Sequence, residues 1–121
     1  MGNVKQSKHS IIRKLEEISP EPTAHGSGSK FVFRANNQMP HMSTQVAFGI
    51  FKPGEACEEH LHPTMYEYFY FISGEGTYTI DGVDYNLEPE VFLEIPSGLK
   101  HFLVADKGTE LRFVYWGVAL D

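Results

Sequence analysis

From Phe31 onward the sequence falls into short β-forming runs separated by turn residues, and this spacing limits the fold more than any other feature. The runs are FVFRA (31–35), TQVAFGIF (44–51), MYEYFYFI (65–72), TYTI (77–80), VDYNL (83–87), VFLEI (91–95), HFLVA (101–105) and LRFVYWGVAL (111–120). Between TYTI and VDYNL stands Asp81-Gly82, which supplies the positive φ angles of a two-residue type I′ turn and so predicts a hairpin. Eleven Gly and seven Pro punctuate the chain. Eight to ten short strands with turns this frequent predict an all-β sandwich or barrel, and 121 residues suit a single domain.

Residues 1–30 read differently. Ile11, Ile12, Leu15 and Ile18 mark one face of a short helix or a paired strand, and SPEP interrupts either one at once. HGSGSK (25–30) is flexible by composition. The expected organisation is therefore an N-terminal arm over 1–30, partly flexible, that packs on a barrel over 31–121 or on a neighbouring subunit.

Composition excludes several partners. The net charge is −6 with no basic block, so the electrostatic footprint of nucleic-acid binding is missing. The one cysteine, Cys57, has no partner for an intrachain disulfide. Neither a signal-peptide core nor a run of transmembrane length is visible. The expectation is a cytoplasmic protein with no membrane partner.

The chemistry concentrates in residues 54–74, GEACEEHLHPTMYEYFYFISG, which place His60, His62 and Glu67 within eight residues. Side chains two apart on a strand share a face, so His60 and His62 can both point inward while Leu61 points away. Glu67 has the opposite parity. Pro63 favours a break, and a turn or bulge at 62–64 would reset the register and bring Glu67 to the histidines, alongside Phe69 and Phe71. One continuous strand over 60–67 would exclude that arrangement. His101 follows the turn Pro96-x-Gly98 and must arrive from across the barrel. Burying an unpaired carboxylate beside two phenylalanines costs several kcal/mol, and a nearby cation is the simplest compensation. Three imidazoles and a carboxylate suit a divalent transition metal (Fe, Mn, Ni, Cu, Co or Zn), with two positions left open on an octahedral ion.

The same residues carry a resemblance. The chain resembles the cupin superfamily, whose first motif is Gly, five residues, His-x-His, three or four residues, Glu, six residues, Gly. Gly54, His60, His62, Glu67 and Gly74 meet every position of it. In the second motif Pro96, Gly98 and His101 match, whereas Glu90 stands in place of a Gly and Ala105 in place of an Asn. The resemblance covers roughly residues 40–118. It implies a double-stranded β-helix, a jelly-roll barrel of two antiparallel sheets open at one end, with metal ligands His60, His62, Glu67 and His101. It also implies a homodimer, which the arm and exposed aromatics suit. A Glu at position 90 puts strain on the turn there, because glycine alone enters the left-handed region freely.

Two classes of function follow from this resemblance. One is a metal-dependent enzyme on a small organic substrate, using dioxygenase-type or Lewis-acid chemistry, with sugar or sugar-acid isomerases, epimerases and lyases as the alternative. The other is a non-catalytic barrel that holds a small ligand. Candidate general bases are Tyr66, Tyr68, Tyr70, Tyr78, Tyr115, Glu94 and His41. Period-2 alternation turns Tyr66, Tyr68 and Tyr70 away from Glu67. Arg34, Arg112 and Lys100 are the cations near strands that could meet an anionic substrate. Ala47 and Gly49 would leave room if their face lines a cavity. Cys57, His9, His25 and His41 read as bystanders, with His25 able to reach a neighbouring subunit.

Overall fold

Residues 12–120 are described by a computed structural model of the chain; His9 and Ile11 lie outside them. Nine strands run through them: β1 (Glu21–Pro22), β2 (Ser29–Arg34), β3 (Ser43–Phe51), β4 (Met65–Ser73), β5 (Gly76–Ile80), β6 (Val83–Leu87), β7 (Phe92–Ile95), β8 (His101–Ala105) and β9 (Leu111–Ala119). Three-residue 3-10 turns stand at Leu15–Glu17 and Asn36–Gln38. Six strands form an antiparallel sheet in the order β1-β2-β3-β9-β4-β7, and three form a second in the order β6-β5-β8. Residues 55–60 lie along the free side of β8, through pairings of Ala56 with Val104 and of His60 with His101.

Alternation builds the core. On β5 and β8 every second residue is buried. The inner face of the small sheet (Tyr78, Ile80, Leu103) meets that of the large one (Phe51, Phe69, Phe71, Phe113) in a single cluster. Phe69 is the contact between layers, with its ring centroid 5.2 Å from that of Tyr78. The two antiparallel sheets are those of a jelly-roll barrel, as expected. Among the described residues no helix is long and apolar enough to cross a membrane.

Two turns show how far local chemistry is obeyed. Asp81 and Gly82 both have positive φ (50° and 81°), and Ile80 pairs with Val83 across them. Glu90 takes φ 74°, the conformation that a glycine would adopt without strain. It is held there by its N–H, which donates to Phe71 O at 2.8 Å, while Phe71 N–H donates to Val91 O at 2.9 Å. Ala105 is buried in the small sheet, and its N–H donates to Glu55 O at 2.9 Å.

The N-terminal segment is tied to the barrel more closely than its composition suggests. Glu21 and Pro22 pair with Lys30 and Ser29, a two-residue strand that the Pro-rich sequence hides and that a sheet edge tolerates. Glu58 N–H donates to His25 O at 2.6 Å, and Ser27 N–H to Ala56 O at 3.1 Å. Gly74 at φ 86° closes the turn after β4, where a Cβ would collide with the Glu110 carbonyl.

Because a non-glycine residue in the left-handed region costs about 1–2 kcal/mol, Glu90→Gly is expected to stabilise the protein by about 0.5–1 kcal/mol net of the added chain entropy. Thermal unfolding of the variant should show a rise of a few degrees.

Candidate metal centre

His60 and His101 stand directly opposite one another on adjacent antiparallel segments and exchange both backbone hydrogen bonds, at 3.0 and 2.8 Å. Their side chains therefore leave the same face, with ring centroids 4.3 Å apart. His62 follows two residues later on that face, its carbonyl accepting from Gly98 N–H at 2.9 Å. Leu61 between them is exposed. The chain then turns at Pro63–Thr64 and β4 begins at Met65. This is the break that the parity of Glu67 requires, and it delivers the carboxylate to the histidines.

One donor atom from each of His60, His62, Glu67 and His101 lies within 4.8 Å of the others. Glu67 Oε1 is 3.3 Å from both His62 Nε2 and His101 Nε2. Neither Glu67 Oε1 nor His101 Nε2 makes an aligned hydrogen bond, although both atoms are buried. The imidazole orientations sharpen the point. His60 Nδ1 lies 2.7 Å from Glu58 O, and His101 Nδ1 lies 2.8 Å from Leu99 O. A carbonyl only accepts, so each Nδ1 carries the proton and each Nε2 presents a lone pair to the cluster. Buried lone pairs on His101 and Glu67 that face each other at this distance repel unless something positive lies among them. The donor set fits a divalent transition metal, and the four residues could hold one.

The electrostatics have the same source. Burial alone would raise the Glu67 carboxyl, but hydrogen bonds and positive charge from His101 and His62, when those rings carry a second proton in place of an ion, outweigh it and hold the group down at about 2. Contact with Glu67 raises His62 against the opposing effect of burial. Burial, reinforced by the neighbouring rings of His101, His25 and His62, lowers His60.

A cavity of about 160 Å³ opens beside His60, His62 and Glu67. Its walls are mainly aromatic, with Phe51, Phe69, Phe113, Tyr78 and Tyr115, and its polar edge carries His25, Lys30 and Gln45. Gly49 lines it too, yet the space left by its missing side chain is filled, since a Cβ there would come 2.5 Å from the Phe113 ring. Ala47 is fully buried. A second cavity of about 490 Å³, bounded by Trp116 and Gly117, shares Lys30, Gln45, Met65, Glu67 and Tyr115 with the first.

Of the seven candidate bases, Tyr78 and Tyr115 line the first cavity. Burial, with the Glu67 charge adding to it, pushes both hydroxyls above the usual tyrosine range. Tyr68 stacks on Trp116 and Phe92 at 5.6 and 6.1 Å on the other face of the sheet. Glu94 pairs with Tyr68 there, and Tyr66 and Tyr70 share that parity. His41 sits exposed in a turn at φ 51°. The three cations singled out by sequence fall outside both cavities: Arg112 lies over the Phe48 ring, Lys100 is exposed, and Arg34 donates to Phe33 O.

Sequence reasoning missed His25 and Lys30. The His25 ring stacks on His60 with centroids 4.0 Å apart and planes 17° from parallel. Both residues lie in HGSGSK, whose composition reads as a linker. The available signal was that its last residues alternate into a strand, which starts at Ser29. Cys57 also lines the cavity, where its Sγ accepts from Leu103 N–H at 3.2 Å.

The cupin domain family matches residues 47–117, a span that includes all four clustered residues. The chain is a cupin. It is 41% identical over 119 residues to the dimethylsulfoniopropionate lyase DddW of Ruegeria pomeroyi, an alignment covering 94% of this chain and 74% of that protein. It is 30% identical over 70 residues to the polyketide synthase CurC of Streptomyces cyaneus, covering 58% of this chain and 46% of that one. Among solved structures, a predicted oxalate decarboxylase of Thermotoga maritima superposes with a TM-score of 0.82 at 22% identity, covering 91% of this chain and 100% of that one. At that identity the likeness is one of fold.

In zinc-loaded, 15N-labelled protein, long-range proton–nitrogen correlations should show His60 and His101 protonated at Nδ1. Protonation at Nε2 of either ring would contradict the orientation derived from the carbonyl contacts.

Proposed function

We propose that this cupin is a metal-dependent lyase that eliminates across the Cα–Cβ bond of a small carboxylic acid, with dimethylsulfoniopropionate as the first substrate to test. The observation that carries this reading is the likeness to DddW, which spans nearly the whole chain and both segments of the ligand cluster. The cavity supports it. Its volume of about 160 Å³ has room for a small acid beside Glu67. Its aromatic walls suit a sulfonium group, which ring faces attract as they attract other cations.

His60, His62, Glu67 and His101 are the residues that would hold the ion. A divalent ion there supplies Lewis acidity, polarising a substrate oxygen and acidifying the adjacent C–H. In the elimination a base takes the proton from Cα and its electron pair forms the Cα=Cβ bond. The Cβ–S bond breaks and its pair leaves with sulfur as dimethyl sulfide, giving acrylate. Three cavity groups are within the site to handle that proton: the His25 imidazole and the hydroxyls of Tyr78 and Tyr115. Both phenols are held protonated by burial, which suits them to donate to a substrate oxygen. The His25 ring lies on the cavity wall, face-on against His60, and we assign it the base role.

Headspace gas chromatography of the metal-loaded protein with dimethylsulfoniopropionate tests the reading. Release of dimethyl sulfide is expected, reduced about 10²-fold or more in kcat by His25→Ala and abolished by His60→Ala. No dimethyl sulfide from the fully metal-loaded protein would contradict it. Oxygen consumption in the same mixture would instead favour oxygenase chemistry.

A further inference from the structure

Lys30 stands out among the groups that line the two cavities. It is the one lysine or arginine among the described residues on either wall, and it belongs to both. It sits on β2 opposite Gly49, in a row that continues through Phe113 to Phe71 on the inner face of the large sheet. Lys30 is half-buried, and the hydrogen bond that the structure gives its ammonium is a long one, 3.4 Å to Gln45 Oε1. An ammonium has three donors, so a neutral amide at that distance satisfies it poorly. Ring faces attract such a charge only weakly, so an anion entering the cavity is its stronger partner. The carboxylate lining the same cavities, Glu67, is already turned to His62 and His101.

We infer that Lys30, with Gln45 beside it, anchors the carboxylate of a small monoanionic substrate, so that the aromatic wall of Phe69, Phe113 and Tyr115 receives the other end. This rests on reading the cavity as a substrate site, and it specifies how that substrate is oriented. Lys30 is a specificity residue in this account, distinct from the groups that take the proton. The arrangement also explains why β2 must continue back to Ser29, since two further residues of pairing carry Lys30 over the cavity. A carboxylate on an ammonium is a charge-assisted contact, stronger than its neutral counterpart by roughly 10-fold or more in binding.

The test measures binding rather than turnover. Cobalt-loaded full-length protein is titrated with propionate and with propionamide, and occupancy is followed by the visible absorption of the ion. Wild type should bind propionate at least about 10-fold more tightly than propionamide. Lys30→Met and Lys30→Gln should each remove that preference while cobalt affinity stays within about twofold. The comparison of the two ligands on wild type needs no variant, so misfolding of either substitution does not remove the test. Equal binding of the two ligands by wild type, no binding of propionate at all, or an undiminished preference in both variants would overturn the inference. If dimethylsulfoniopropionate is not turned over but propionate binding depends on Lys30, the lyase reading alone fails. If it is turned over with KM unchanged in Lys30→Met, the anchor alone fails.

Discussion

The contact of Glu67 with His101, whose ring is paired across the strands with that of His60, is the constraint on which the site depends. A cross-strand pair fixes the two histidines, and backbone carbonyls of Glu58 and Leu99 fix their ring orientations. Across from them, the start of β4 presents a carboxylate whose Oε1 has no hydrogen bond. Three imidazoles and one carboxylate oxygen converge there, with donor atoms within 4.8 Å of one another. A cation held by such a cluster would relieve the repulsion among its donors, which would couple binding to folding. The same carboxylate bears on the groups nearby: burial, with the Glu67 charge adding to it, keeps the two cavity tyrosines protonated.

Much of this was legible in the sequence because it depends on local rules. Asp81-Gly82 sets a hairpin whatever surrounds it. The parity of His60 and His62, the break at Pro63, and the alternation of Glu67, Phe69 and Phe71 against Tyr66, Tyr68 and Tyr70 follow from the two-residue period of a strand. The position of His101 was less local, since only tertiary pairing places it opposite His60. The Pro96-x-Gly98 turn nonetheless starts its strand at the right residue.

What sequence did not reveal lies where local composition and tertiary context disagree. HGSGSK is rich in small residues and reads as a linker, yet two hydrogen bonds to residues 56–58 hold its backbone against the barrel. That anchoring converts His25 and Lys30 from residues of a loose segment into parts of the cavity wall. Arg34 and Arg112 were better candidates by neighbourhood, but strand parity sends Arg112 to the outer face, over Phe48. Glu90 shows the opposite case: the local preference was read correctly as unfavourable, and the backbone hydrogen bonds to Phe71 override it.

The central claim is that the four-residue cluster holds one divalent ion. Its most direct test is elemental analysis of protein purified without a histidine tag or chelating column, beside a His60→Ala/His101→Ala double variant. The account predicts about one equivalent of a single transition metal per chain in the wild type and loss of that metal in the double variant. Substoichiometric metal that persists in the double variant would contradict it.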